Sequence, residues 1–153
     1  MIRCLKASEE DAKTLVELQI RAFSIDVDIC GEGPPGYDSV KRQIELMESH
    51  IYYKVVDGDK LIGGFYIHPK QKGHYEIIRL FVDPNYQGKG IGCMALKYIE
   101  ELFDDLELLE LEASDFRKDN HTFYENRGYV KVGEKEYSEG SFSYIYQKKF
   151  SDL

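Results

Sequence analysis

The segment from Tyr75 to Leu111 constrains the fold more than any other. An apolar run, Tyr75 to Val82, stops at Asp83-Pro84-Asn85, and a turn with glycine at 88, 90 and 92 follows. Ile91, Met94, Ala95, Tyr98, Ile99 and Leu102 then recur at helical spacing. Leu106 to Leu111 reads as a further strand on its length, although its leucines and glutamates also suit a helix. A strand, a crossover helix and a second strand imply parallel pairing. Just upstream, Ile51 to Val56 and Lys60 to Ile67 are two strand-like runs with Asp57-Gly58 between them, the signature of a tight antiparallel hairpin. Both kinds of pairing in one chain predict a mixed-sheet α/β domain rather than a doubly wound parallel one.

The flanking sequence completes the order. Ile2 to Leu5 is long enough for one strand. Ser8 sits three residues before Asp11, like the start of a capped helix, and Ala12, Leu15, Val16, Ala22 and Phe23 follow at helical spacing. Gly31 to Gly36 contains two prolines and must be a loop. A second helix is predicted from about Asp38 to Glu48, capped by Asp38 or Ser39. Lys118 to Asn126 reads as a short helix with Gly128 as its C-terminal glycine. Tyr129 to Val132 and Phe142 to Lys148 close the chain as strands, with Gly133 and Gly140 flanking their polar connection. The expected order is β-α-α-β-β-β-α-β-α-β-β, in a single domain over residues 1–153.

Length and charge narrow the function. With 153 residues, 42% of them hydrophobic, the chain can bury a core without disulfides or structural metal. No apolar stretch approaches a membrane span of roughly 20 residues, and the acidic start does not resemble a signal peptide. A net charge of −8 argues against nucleic acid as a partner, because phosphate binding needs a basic face, and mildly favours a cationic ligand. Cys4, Cys30 and Cys93 are an odd number with no CxxC pair, which points to a reducing, cytoplasmic compartment. The four histidines show no metal-ligand spacing, so no metal is expected. A homodimer stays open.

The glycine turn carries the chemistry. Gly88, Gly90 and Gly92 remove the side chains that would hold a ligand off the backbone, and the helix that starts there adds unpaired N–H groups and the positive end of its dipole. Together they suit a pyrophosphate. A dinucleotide fingerprint starting at Gly88 fails, because position 93 is Cys93 rather than glycine or alanine. A P-loop fails as well: Lys89 is followed by Gly90 instead of Ser or Thr, and position 83 is Asp83.

What fits is Q/R-x-x-G-x-G/A, here Gln87-Gly88-Lys89-Gly90-Ile91-Gly92. With Asn120-His-Thr-Phe-Tyr124-Glu-Asn-Arg-Gly128-Tyr129 downstream, the chain resembles the GNAT superfamily of acyl-coenzyme A-dependent N-acyltransferases over nearly its whole length. That resemblance implies acetyl-coenzyme A as acyl donor. It implies that the backbone of Leu80, Phe81 and Val82 holds the pantetheine arm like an added strand, and that Gln87 through Gly92 hold the pyrophosphate. It implies that Tyr124 protonates the departing thiolate, a proton transfer that a phenol of pKa about 10 and a thiol of pKa about 8.5 can share. The alternative for Tyr124 is an aromatic that only packs its helix on the sheet. Many relatives carry asparagine seven residues before the tyrosine; here that position is Arg117, and Asn120 stands where a small residue is commoner. Arg117 either meets a phosphate or is a solvated charge.

The acceptor amine must lose a proton. Glu76, early in the strand that ends at Val82, lies between apolar and aromatic neighbours, which suits a partly desolvated base; the alternative is a strand-edge carboxylate facing solvent. By the same resemblance the acceptor side comprises Asp26, Asp28, Glu32 and Tyr37, and later Tyr137, Phe142 and Tyr144. Carboxylates with aromatics suit a cationic amine. The expectation is acetyl transfer to a primary amine of a small molecule. The alternatives are a protein or peptide amine, or a non-catalytic acyl-coenzyme A sensor.

Overall fold

The computed structural model describes residues 1–150. Its strands are β1 (Ile2–Lys6), β2 (Ile51–Asp57), β3 (Lys60–Gln71), β4 (His74–Val82), β5 (Leu108–Ser114), β6 (Val130–Ser138) and β7 (Ser141–Lys149). Its helices are α1 (Ala12–Ala22), α2 (Ser24–Cys30), α3 (Val40–Ser49), α4 (Ile91–Leu102) and α5 (Lys118–Glu125). The seven strands hydrogen-bond in the order β1-β2-β3-β4-β5-β7-β6. β1–β2, β2–β3, β5–β7 and β6–β7 are antiparallel, and β4–β5 is parallel. This is the mixed, mostly antiparallel sheet with helices that the sequence implies. No helix among the described residues is long and apolar enough to cross a membrane.

The chain divides into two compact units. The first comprises residues 1–68 and 79–102. Its core is Leu15 and Leu18 of α1, Leu46 of α3, Val55, Ile62, Phe65 and Ile67 of β2 and β3, and Leu96 and Ile99 of α4, all buried. A 3₁₀ turn over Glu9–Asp11 leads into α1, and the capping box belongs to that turn: the Ser8 N–H donates to Asp11 Oδ2 at 2.9 Å. Ser39 Oγ accepts from the Arg42 N–H at 3.1 Å and caps α3. At the β2–β3 turn Gly58 has φ +62°, while no non-glycine residue has a positive φ, so only the first turn residue is left-handed, as in a II′ hairpin.

The second unit comprises residues 69–78 and 103–150 of the described chain. Leu109, Leu111 and Ala113 of β5 are buried while Leu108, Glu110 and Glu112 are not, an alternation of two that settles Leu108–Ser114 as strand rather than helix. Tyr124 of α5, Tyr129 and Tyr146 of β7 complete this core.

Three local expectations need correction. The stretch after Phe23 is a further helix, α2, which ends at Gly31 with φ +82°. β3 runs on past Ile67 through Pro69 to Gln71. Gly133 does not flank the last connection: β6 continues to Ser138, and the pairing with β7 shifts register between Lys131 and Gly133, so this glycine sits in a bulge.

Candidate active site

In the first unit the end of β4, the glycine turn and the start of α4 are built from a chain of local bonds. Asp83 closes β4: its N–H donates to the Ile62 carbonyl at 2.7 Å. Its side chain accepts from the Asn85 N–H at 2.9 Å and so caps a 3₁₀ turn over Pro84–Tyr86. Arg21 of α1 donates to the other carboxylate oxygen, Oδ2, at 2.9 Å. Burial, the largest single influence, pushes the Asp83 carboxyl up, yet the Asn85 N–H and the Arg21 guanidinium together outweigh it and hold the carboxyl below its usual range. The local sequence marks Asp83 only as the end of a strand and carries no signal for Arg21, 62 residues away.

Beyond that turn the backbone opens. Gly88 and Gly90 have φ +80° and +78°, left-handed conformations that a side chain disfavours. A Cβ built on either would meet nothing within 4 Å, so there is open space beside each of the two glycines. The first bond of α4 is Met94 N–H to the Gly90 carbonyl, at 3.0 Å. The N–H groups of Ile91, Gly92 and Cys93 therefore precede the helical ladder and remain as donors. Gln87 and Lys89 are exposed beside them. These residues fit a pyrophosphate: N–H donors of the first helical turn stand at the loop, the helix dipole is positive here, and a Cβ on Gly88 or Gly90 would meet open space. Leu80, Phe81 and Val82 lead into the turn. The Phe81 ring is core, 6.2 Å from Phe23, and a Cβ at Gly64 would lie 2.7 Å from it.

In the second unit, β4 and β5 pair over His74–Ile77, and this register ends at Ile77↔Leu111, short of Leu80. Tyr124 is held by the end of α5. The Tyr129 N–H donates to the Tyr124 carbonyl at 3.1 Å and the Gly128 N–H to the Glu125 carbonyl at 3.2 Å. With Gly128 at φ +92°, this is a Schellman motif, and it brings the Tyr129 ring edge-on to Tyr124 at 5.7 Å. Burial pushes the Tyr124 phenol up to about 12, against a lowering by the Arg117 charge, so it stays protonated at neutral pH. At the other end of α5, His121 Nε2 lies 2.8 Å from the Ser114 carbonyl and its ring stacks on Tyr144 at 4.7 Å.

Arg117 is not a solvated charge. Its side chain is 12% exposed, and its Nε donates to Asp119 Oδ1 at 3.1 Å. Nη2 donates to Asp119 Oδ2, also at 3.1 Å, which makes the contact two-pronged. Asn120 lies in the first turn of α5, half-buried. Glu76 is partly desolvated, with a side chain 18% exposed, and it stands in an ion pair: Lys70 Nζ is 3.7 Å from Glu76 Oε1 and 3.2 Å from Glu110 Oε1. Lys70 lies in the part of β3 beyond Ile67, outside the run that the sequence marks as a strand. A cleft of about 400 Å³ in this unit is lined by Lys70, Gln71, His74, Tyr75, Leu108, Glu110 and Gln147. It contains none of the expected site residues.

The acceptor-side residues fall into separate groups. Asp26 and Asp28 are on α2 and not in a loop. Tyr37 packs edge-on to Phe23 at 6.3 Å, and a Cβ at Gly33 would lie 2.7 Å from the Tyr37 ring. Glu32 is exposed in the same loop as Gly33. Tyr137 and Phe142 are exposed on β6 and β7, and Lys131 Nζ sits 3.5 Å over the Tyr144 ring. Among the described residues no group of three His, Cys, Asp or Glu could hold a metal ion.

An S-(2-succino)cysteine N-acetyltransferase of Bacillus subtilis is 27% identical over 153 residues, covering 94% of this chain and 92% of its own. Two solved structures share the fold. The PaiA N-acetyltransferase of Thermoplasma acidophilum, in complex with coenzyme A, superposes with TM-score 0.80 at 20% identity over 98% of this chain and 99% of its own. An acetyltransferase of Thermus thermophilus does so with TM-score 0.83 at 17% identity, over 98% and 97%. The family model described as "Acetyltransferase (GNAT) family" matches residues 12–129, a span that holds the glycine turn, Glu76 and Tyr124 alike, and the chain belongs to that family of N-acetyltransferases.

Proposed function

We propose that the chain transfers an acetyl group from acetyl-coenzyme A to a primary amine of a small molecule, by direct attack within a ternary complex. The observation that carries this is the open glycine turn, with two left-handed glycines and free helical N–H groups. In this reading Gln87, Gly88, Lys89, Gly90, Ile91 and Gly92 hold the pyrophosphate. The backbone of Leu80, Phe81 and Val82 holds the pantetheine arm, and Arg117 and Asn120 lie along the same coenzyme. Arg117 then shares its guanidinium between Asp119 and a phosphate.

The reaction follows from the proton inventory. The amine nitrogen, deprotonated by Glu76, attacks the thioester carbonyl carbon. A C–N bond forms, the C–S bond breaks, the thiolate takes its proton from the Tyr124 hydroxyl, and the second proton shed by the acylated nitrogen restores that hydroxyl. A phenol held near 12 is fully loaded with its proton at neutral pH, as an acid must be before it acts. Lys70 keeps Glu76 engaged in an ion pair, so the base works as part of a carboxylate–ammonium network. No cysteine is needed as an acyl carrier; Cys93 and Cys30 are exposed and Cys4 is partly buried. We place the protein in the cytoplasm as a single N-acetyltransferase domain, consistent with three free thiols.

The small-molecule acceptor is supported by the Bacillus subtilis relative, whose name states an amino-acid acceptor. An amino acid brings carboxylates to the acceptor side, whereas a polyamine would match Asp26, Asp28 and Glu32. A thiol-release screen over amino acids, S-substituted cysteines, polyamines, amino sugars and short peptides at fixed acetyl-coenzyme A decides. Release driven by small amines supports the proposal; release driven only by peptides would move the acceptor to a protein.

A further inference from the structure

Glu76 of β4 and Glu110 of β5 stand directly opposite each other in the parallel register, so both side chains leave the sheet on one face. It is the face away from Leu109 and Leu111, which are buried. Like charges placed opposite each other on neighbouring strands repel. Lys70 Nζ lies near both, 3.2 Å from Glu110 Oε1 and 3.7 Å from Glu76 Oε1. The two contacts are unequal. Lys70 donates a hydrogen bond to Glu110, whose second oxygen, Oε2, accepts from Gln147 Nε2 at 2.7 Å. Burial pushes the Glu110 carboxyl up, yet Gln147 and Lys70 together outweigh it and hold it below its usual range, so it stays charged at neutral pH. Lys70 is held above its own usual range, first by the bond to Glu110. His74, Lys149 and Glu112 share this face. His74 lies two residues before Glu76 and acts electrostatically on Glu110, Lys149 stands opposite Leu108, and Glu112 takes Ser143 Oγ at 2.7 Å and Lys135 Nζ at 3.9 Å.

We propose that Lys70 and Glu110 are positioning residues for Glu76, two carboxylates sharing one ammonium group so that Glu76 can take up a proton and release it. The inference rests on the reading of Glu76 as the base and deepens it. A lysine beside Glu76 alone favours the ionised carboxylate and makes it reluctant to accept a proton. That lysine would also lose its partner once Glu76 became neutral. Glu110 removes both obstacles. Its charge, directly opposite, favours the protonated form of Glu76, and it gives Lys70 a partner in either state. When Glu76 takes a proton from the acceptor's ammonium group, the nitrogen keeps the electron pair of the N–H bond, an O–H bond forms on Glu76, and Lys70 stays on Glu110. Glu76 then returns to its ionised form by passing the proton to water. Lys70 and Glu110 act on the acceptor only through Glu76.

The test is carbon-13 NMR of the protein carrying carboxyl-labelled glutamate, with the Glu76 signal identified by its loss in Glu76→Gln. Its titration midpoint is followed in the parent, Lys70→Met, Lys70→Arg and Glu110→Gln. The pH profile of kcat is measured beside it, with the most active amine of the thiol-release screen. Lys70→Met raises the midpoint by about one pH unit, the effect of removing a neighbouring charge that water partly screens. Glu110→Gln lowers it, because the opposing charge is gone and Lys70 turns to Glu76 alone. Lys70→Arg keeps it near the parent's. The acid limb of kcat moves in the same direction in each variant. Lost packing does not drive two variants in opposite directions. An unmoved midpoint in both Lys70→Met and Glu110→Gln, or a shift of the same sign in both, overturns the proposal; loss of activity in Glu76→Gln near neutral pH then leaves the base reading intact. If Glu76→Gln keeps the parent's activity, the base reading falls and the positioning role falls with it, whatever the midpoints do.

Discussion

The Arg21 guanidinium lies 2.9 Å from Asp83 Oδ2 and joins α1 to the end of β4 immediately before the glycine turn. The carboxylate is 3% exposed and the arginine 49%, so the pair is buried on one side only. Its worth falls nearer to that of a surface pair than a fully buried one. Asp83→Asn keeps an oxygen for the Asn85 N–H and loses the ion pair; about 1 kcal/mol of stability is expected to go at neutral pH. Asp83→Ala also loses the cap, for about 1 kcal/mol more. The folded carboxyl is held below its ordinary value. Its contribution is therefore complete above the unfolded pKa of about 3.9 and disappears as pH falls through the lower folded value. Chemical denaturation of parent and Asp83→Asn should differ at pH 7 and converge at strongly acid pH. A constant gap across that range would show that the ion pair does not carry the effect.

Tyr124→Phe keeps the ring in its contacts with Tyr129 and Tyr146 and removes the proton donor. Turnover is expected to fall about 10²-fold or more, with thermal stability close to that of the parent. Turnover within a few-fold of the parent would leave Tyr124 as a packing residue.

Gly128 holds the Schellman motif behind that tyrosine. At φ +92° an alanine is strained, while its Cβ would meet the flexible Lys148 side chain, with Cε nearest at 3.4 Å. Gly128→Ala is expected to lower stability by about 1–2 kcal/mol through backbone strain alone. Thermal denaturation checks it, and no loss would mean that the turn relaxes without the glycine.

Glu76→Gln preserves shape and removes the carboxylate. Activity should drop near neutral pH while coenzyme affinity holds, and the loss should shrink at high pH, where more of the amine is already neutral. Superimposable pH profiles for parent and variant would make Glu76 a strand residue only, with Asp26, Asp28 and Glu32 as the next candidates for the base.

Much of this arrangement could be read from local sequence. Asp57-Gly58, the glycine turn and Gly128 each write a backbone conformation in adjacent residues, and each is found where expected. What escaped depends on distant partners. α2, with Ile25, Asp26, Val27 and Asp28, has poor helix formers and no buried residue, so neither propensity nor periodicity marks it. Pro69 reads as a strand breaker although β3 passes through it. The pairs Arg21–Asp83 and Lys70–Glu76, and the Lys60 ammonium on Tyr86, join residues that only the folded sheet brings together. The Lys70 contact alters the chemistry expected of Glu76 without changing which residue stands there.

The central claim is that the turn from Gln87 to Gly92 is the coenzyme cradle, and calorimetry with coenzyme A tests it on Gly90→Asp. An aspartate there suffers left-handed strain and places a side chain and a negative charge in the open space. Gly58→Asp is the control, because Gly58 also has positive φ and open space around it but lies in the β2–β3 hairpin. With both variants folded by circular dichroism, the account predicts that Gly90→Asp loses coenzyme A binding and Gly58→Asp retains it. Undiminished affinity in folded Gly90→Asp would contradict it.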